Sequence, residues 1–283
     1  MTLRETLQQM VTDGRLDLPR PGLGATRERH MRLFDIARRH PVSLARLVEA
    51  HTDAVAILAE AGRAPRHGAF YGVWASSGPS GDVRLHDAAP GEGVRSIGDL
   101  VLDGTKAFAS GLGVVTHALV TSTVDGESSQ EGTAEATSLV ETDVYESATV
   151  SYRTDHWATA ALAGAATGSA SFTGHRVANE DLVGPPGWYL DRVGFWHGAC
   201  GPAACWAGAA AGLVDAAEDL VDDNSHRRAH LGALRSDVWS LAAVLSAAGD
   251  EIDAHPDDVS AAHRRALALR HHVERTVADV LDR

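Results

Sequence analysis

Apolar residues in the N-terminal part of the chain recur with the period of a helix. Leu44, Leu47, His51, Ala54 and Leu58 follow i, i+3, i+7 spacing and form one stripe. Ser43 is placed to cap this helix and Gly62 to stop it. A preceding helix over Arg27 to Arg39 is ended by Pro41. From about Pro65 the period changes. Ala69 to Ser76 is continuously apolar and aromatic, as a buried strand is. Leu100 to Phe108 has two apolar arms around Asp103-Gly104, a pair that predicts a type I′ hairpin because both central residues of that turn need positive φ. Val114 to Val124, Ser147 to Tyr152 and Ser169 to Val177 are further strands. Asp125 to Thr137 is polar and predicts a mobile surface loop. Past about Gly194 the helical period returns. One helix is expected from Phe195 to Asp222. A second, capped by Ser225, runs from His226 to Asp253, and a third starts at Asp258 after the break at His255-Pro256. Short connections predict antiparallel packing of these helices.

The chain therefore reads as α+β. An N-terminal helical domain covers 1–64, a middle antiparallel β-barrel 65–188 and a C-terminal helical bundle 189–283. With 283 residues, 44% of them hydrophobic, it can bury two or three packed layers. A formal net charge of -13 argues against nucleic acid and anionic membrane surfaces as partners, since both repel it. The longest apolar run, about Gly198 to Val214, is rich in Ala and Gly and short for a membrane span, so it reads as a buried helix. Met1 to Thr12 is charged and does not resemble a signal peptide. Cys200 and Cys205 lie five apart on one helix, poor geometry for a disulfide. They read as small core residues of a reducing, cytoplasmic compartment.

Local motifs sharpen the order of helices, barrel and helices. Gly104-Thr105-Lys106-Ala107-Phe108-Ala109-Ser110-Gly111 resembles the barrel motif of the acyl-CoA dehydrogenase family. The resemblance implies FAD, with Phe108 on the isoalloxazine face and Ser110 near its N5–C4 edge. The chemistry suits them, because an aromatic wall excludes water and a hydroxyl stabilises charge on a reduced flavin. Tyr71 to Gly78 occupies the place of the family's first barrel motif. There Trp74 stands where a flavin-contacting Thr is expected, and Ser76 or Ser77 is placed to meet flavin or pyrophosphate. Thr167 to Val177 resembles the strand before a Val177 to Gly187 turn, and Phe195 to Ala210 resembles the opening helix of the bundle. The resemblance spans essentially the whole chain. It implies a homodimer or tetramer, with the Ala-rich helices Phe195 to Asp222 and Arg235 to Ile252 offering the faces.

The chain also departs from that pattern. Trp196 and Ala199 stand where the family places an Asp and an Arg that hold acyl-CoA. Its R-x-x-F-G motif is not evident, and Arg227 or Arg228 either meets a phosphate or faces solvent. The resemblance runs out near Arg283, before the segment that carries the usual catalytic glutamate, so the bundle is expected to be incomplete. Abstracting a proton α to a thioester needs a carboxylate aimed at that carbon. The spacing of Glu49, Glu60 and Glu218 singles out none of them. His197, in Phe-Trp-His-Gly-Ala-Cys, is the first candidate for a polar catalytic group. His51 is either a core histidine or an acid–base group. Trp196 floors a pocket or packs the core. His226 and His230 share a helix face and read as exposed, and no metal site is expected. Three functions stay open. One is an FAD-dependent oxidoreductase of acyl-CoA dehydrogenase type, acting on an acyl thioester or analogue. The second is a flavin monooxygenase or oxidase on the same fold. The third is an inactive structural subunit of a longer paralogue.

Overall fold

Thr2 and Glu5 open the chain with a reciprocal cap. The Thr2 hydroxyl accepts from the Glu5 N–H at 3.2 Å, and the Glu5 carboxylate accepts from the Thr2 N–H at 2.7 Å. They start α1 (Leu3–Thr12), which buries Leu7 and Met10. The computed structural model describes residues 2–76, 83–88, 99–124, 137–155, 157–160, 162–220 and 222–283. Ser77, Gly78 and the expected polar loop as far as residue 136 lie outside the described residues. The chain divides into two units, Met1–Asp13 with Ile57–Asp191, and Gly14–Ala56 with Arg192–Arg283.

The first unit is built on β1 (Tyr71–Trp74), β2 (Arg84–Asp87), β3 (Asp99–Ala109), β4 (His117–Val124), β5 (Thr137–Asp143), β6 (Val150–Arg153) and β7 (Gly168–Ala178). They form one sheet in the order β1-β4-β2-β3-β7-β6, with β5 also paired to β4. The expected antiparallel barrel is corrected to a curled, mixed half-barrel. Both β1 and β2 pair with β4 in parallel, and the described strands follow an open path. The expected hairpin at Asp103-Gly104 is also corrected, because β3 runs straight through it, paired with β2 and β7. Between Leu102 and Gly104 the register shifts against β7, where Gly174 has φ 57° and Gly104 itself has φ 120°. The Asp103 carboxylate accepts from the Gly174 N–H at 2.6 Å and meets His86 Nε2 at 2.8 Å. The Asp-Gly signal thus serves a bulge that bends the sheet.

The second unit is helical: α2 (Thr26–Arg39), most of α3 (Val42–Glu60), α5 (Val193–Gly198), α6 (Gly201–Glu218), α7 (Ser225–Ala254) and α8 (Val259–Asp282); the short α4 (Trp188–Asp191) belongs to the first unit. Ser43 lies inside the first turn of α3 and is not its cap. The α7 cap is Asn224, whose side chain accepts from the N–H groups of His226 and Arg227, one residue ahead of the expected Ser225. The single helix expected from Phe195 to Asp222 is two, interrupted at Ala199 and Cys200. Asp258 caps α8 through the Ala261 N–H at 2.8 Å. No helix among the described residues is long and apolar enough to cross a membrane.

Small residues on α6 set how near α2 can come. A Cβ on Gly208 would sit 2.1 Å from the Phe34 carbonyl oxygen, and one on Gly212 2.6 Å from that of Arg38. Ala203, Ala204, Ala207, Ala210 and Ala211 are buried on the same helix, with Cys205 and Val214. Gly208→Ala is expected to lower stability by about 2 kcal/mol, because rigid backbone must move to admit the methyl group. Chemical denaturation checks this, and an unchanged midpoint would contradict the close approach.

Candidate functional site

Strand β3 ends in a built cluster. Between Lys106 and Ala109 its register shifts against β7, with the extra residue on β3. A bulge of this kind re-aims a side chain. Phe108 is turned outwards and is 48% exposed, although Ala109 beside it is fully buried. Next along the chain, the Ser110 hydroxyl bonds that of Thr167 at 2.8 Å. The Ser110 carbonyl accepts from the Trp74 indole N–H at 3.0 Å. The N–H groups of Gly111 and Leu112 donate to the carbonyls of Ala165 and Ala166 at 2.7 and 3.1 Å. That facing turn is strained, since Leu162 and Ala166 hold φ of 56° and 45° without being glycine.

Trp74 is 1% exposed, with Tyr152 and Phe172 each 6.4 Å away between ring centroids. It touches the cluster from beneath, through its N–H. Gly168 is required beside Thr167, because a Cβ there would lie 2.1 Å from the Arg153 carbonyl oxygen. Ser76 is exposed two residues past the end of β1. The structure therefore brings Trp74, Ser110 and Thr167 together, with Phe108 at the same strand end. An exposed aromatic ring two residues along the chain from a hydroxyl pair offers the two kinds of contact that a flat heteroaromatic ring such as isoalloxazine takes, an apolar face and a polar edge.

The other two candidates belong to the helical unit. His51 is buried on α3, and burial lowers its pKa to about 4, so its ring is neutral at pH 7. His197 is buried on α5 and donates from Nε2 to the Pro256 carbonyl at 2.9 Å. Near them lies a charged group that the spacing did not single out. Arg29 is buried, donating to the Pro19 carbonyl and the Thr52 hydroxyl. Glu49 is buried and paired with Arg46, and burial raises its carboxyl pKa. A Cβ on Gly201 would lie 2.6 Å from Glu49 Oε1, and one on Gly198 2.5 Å from Asp53 Oδ1. The two glycines let the helix turns pass directly over these carboxylates. Cys200 and Cys205 are buried thiols, that of Cys200 pushed up to about 12 by burial.

A second polar cluster lines a cavity of about 310 Å³ in the first unit, with Arg66, His117, Glu141, Asp143, His175 and Asp181 in its wall. Its buried carboxylate is well matched. Glu141 accepts from the Tyr71 hydroxyl at 2.6 Å and pairs with Arg63 at 2.5 Å. His175 lies between the hydroxyls of Thr142 and Thr149 at 2.6 and 2.7 Å. Burial lowers the pKa of both His117 and His175. These bonds fasten β5 and β7 across the cavity.

No family model and no curated protein sequence matches the chain. Solved structures do share its fold. FMN-bound TdsC from Paenibacillus sp. A11-2, a dibenzothiophene monooxygenase, superposes with a TM-score of 0.73 at 16% identity, over 90% of this chain and 71% of that one. KijD3, solved with FMN and a dTDP-linked amino-keto sugar, gives 0.76 at 14% identity over 98% and 74%. Methanesulfinate monooxygenase MsuC from Pseudomonas fluorescens gives 0.76 at 14% identity over 98% and 77%. The likeness is one of fold.

Burial of neutral histidines sets a pH dependence. His30, whose Nδ1 donates to the Leu245 carbonyl at 3.0 Å, joins His51 with a pKa lowered to about 4 by burial. The unfolded chain binds these protons near pH 6.5. Between about pH 6.5 and 4 it therefore holds more protons than the folded chain, and stability falls as the pH drops through that window. Denaturation midpoints of the parent and of His30→Gln and His51→Gln chains check this. The variants should show a flatter decline, and identical slopes would contradict the assignment.

Proposed function

We propose that this chain is a flavin-dependent oxidoreductase of the monooxygenase kind. The observation that carries the reading is Phe108, an aromatic ring turned out of β3 beside the Ser110–Thr167 hydroxyl pair. It lies on a fold shared with structures solved holding FMN. In this reading Phe108 covers one face of the isoalloxazine and keeps water from it. Ser110 donates at the ring's edge, with Thr167 fixing its rotamer. Trp74 holds the Ser110 backbone, and Ser76 contributes a polar contact at the end of β1. FAD, implied by the sequence resemblance, and FMN share the ring that this surface addresses. When bound, the flavin would supply two-electron redox chemistry, with an external two-electron donor, two protons and O2 consumed for each oxygen atom inserted into the substrate and each water released. His197 and His51 are the proton-transfer candidates of the helical unit, with His51 neutral and able only to accept.

The monooxygenase reading is preferred over an acyl-CoA dehydrogenase because Trp196 and Ala199 replace the Asp and Arg expected to hold acyl-CoA. Trp196 instead stacks on His263, with ring centroids 4.0 Å apart. A small organic molecule is the proposed substrate, and the acyl thioester is the alternative.

Two measurements test this. Flavin-loaded protein mixed anaerobically with saturated acyl-CoA thioesters should keep its visible band, and after chemical reduction should reoxidise in air within seconds. Bleaching by an acyl-CoA would overturn the monooxygenase reading in favour of the dehydrogenase. Phe108→Ala should weaken FMN or FAD binding by roughly 10-fold, the order of one aromatic contact. Its melting temperature should stay close to the parent's, because the ring is half exposed. Unchanged flavin affinity would remove Phe108 from the site.

A further inference from the structure

Lysine is among the side chains least often buried, because its ammonium gives up water to enter a core. Lys106 of β3 is nevertheless 1% exposed, while Phe108, two residues on, is 48% exposed. On a regular strand the two would share a face. The register shift between Lys106 and Ala109 separates them, so one strand end turns an ammonium inwards and an aromatic ring outwards. Inside, the ammonium donates to the Thr121 hydroxyl of β4 at 2.9 Å, and that hydroxyl donates to the Ala75 carbonyl at 3.3 Å. In the sheet, β2 lies between β3 and β4. Lys106 therefore ties together two strands that the backbone ladder does not pair.

Ala75 follows directly on β1 and precedes Ser76, which is exposed. The parallel register of Trp74 with Val120 sets Ala75 beside Thr121. The end of β1 is thus held twice. The Trp74 indole N–H donates to the Ser110 carbonyl at 3.0 Å, and the Ala75 carbonyl accepts from the Thr121 hydroxyl. Both holds lead to the same strand end, Ser110 just past β3 and Lys106 within it. A leucine at 106 would serve packing alone. An ammonium also polarises the hydroxyl it donates to, and so strengthens that hydroxyl's own bond to the carbonyl beyond. We propose that Lys106 is a positioning residue: through Thr121 it fixes the Ala75 carbonyl, and with it the place of Ser76 relative to Phe108 and Ser110. The proposal rests on the flavin reading for what Ser76 touches, while the tie itself is tested without flavin.

The first measurement uses the flavin-free chain. Amide hydrogen exchange over Tyr71–Ser76 is read by mass spectrometry in the parent, Thr121→Ser, Thr121→Val and Lys106→Met. Thr121→Val and Lys106→Met should speed exchange there on the order of 5-fold, the scale of one lost hydrogen bond. Thr121→Ser keeps the hydroxyl and should match the parent. Equal exchange in all four, or a change in Thr121→Val that Lys106→Met does not share, overturns the proposal. The second measurement is FMN affinity by titration. Thr121→Val should weaken it roughly 5-fold both in the parent and in Phe108→Ala, yet leave it unchanged in Ser76→Ala, where the positioned contact is already gone. A loss that persists in Ser76→Ala, or one that Thr121→Ser shares, assigns Thr121 and Lys106 to packing and overturns the positioning role. Circular dichroism establishes that each variant folds, and if Lys106→Met does not, the Thr121 series decides. A parent that takes up no FMN overturns the flavin reading and the role of Ser76 with it, whatever the exchange shows. A parent that binds FMN as tightly as Thr121→Val does overturns the role of Lys106 alone.

Discussion

A buried indole N–H has to find an acceptor, and in Trp74 that requirement fixes the end of β3. The ring is enclosed by Tyr152 and Phe172, and its N–H reaches the Ser110 carbonyl at 3.0 Å. With that carbonyl held, the Ser110 hydroxyl is presented to Thr167, and the next two amides donate to Ala165 and Ala166. The facing turn keeps Leu162 and Ala166 in left-handed backbone, a conformation that costs on the order of 1–3 kcal/mol per residue and persists only where the surroundings dictate it. Phe108, just ahead of the held segment, is carried outwards by the bulge. An aromatic ring that would otherwise be buried thus becomes an exposed surface.

How much of this was legible depended on how local the cause is. Helices α2, α3, α7 and α8 were visible because their stripes and stop signals lie within a few residues of one another. Caps were legible only to within a residue, since Asn224 and Ser225 are both good caps and the choice depends on where the chain enters α7. Asp103-Gly104 misled because the pair suits either a turn or a bulge. The difference lies in partners far along the chain, Gly174 and His86. The sequence pattern placed no strand at β2 or at β5. The first has only four residues, and the second begins where a polar stretch ends.

The site divides in the same way. The sequence motif proposes Phe108 and Ser110 because both lie within one short stretch at the end of β3. Trp74 shows in the sequence only as a departure from a motif, because its indole N–H meets a carbonyl just past the end of β3, far along the chain. Thr167 was missed, since its pairing with Ser110 needs the register of β3 against β7. The Arg46–Glu49 pair and buried Arg29 were missed because a helix stripe shows which face is apolar, not what charge lies beneath its neighbour. Gly198 and Gly201 were the available signal, two glycines three apart where helix turns pass over carboxylates. The Ala-rich face of α6 works alike, trading side-chain volume for a close approach of α2.

The measurement that bears most directly on this account is the visible absorption of the purified, desalted chain, before and after adding FMN and FAD, with protein concentration determined in parallel. The account predicts a flavin band stoichiometric with the chain, perturbed from free flavin as an aromatic contact at Phe108 requires, with Phe108→Ala needing roughly 10-fold more flavin to reach the same occupancy. A spectrum identical to free flavin after either addition would contradict it. The β3 cluster would then be a structural strand end, and a non-catalytic role for the chain would take its place.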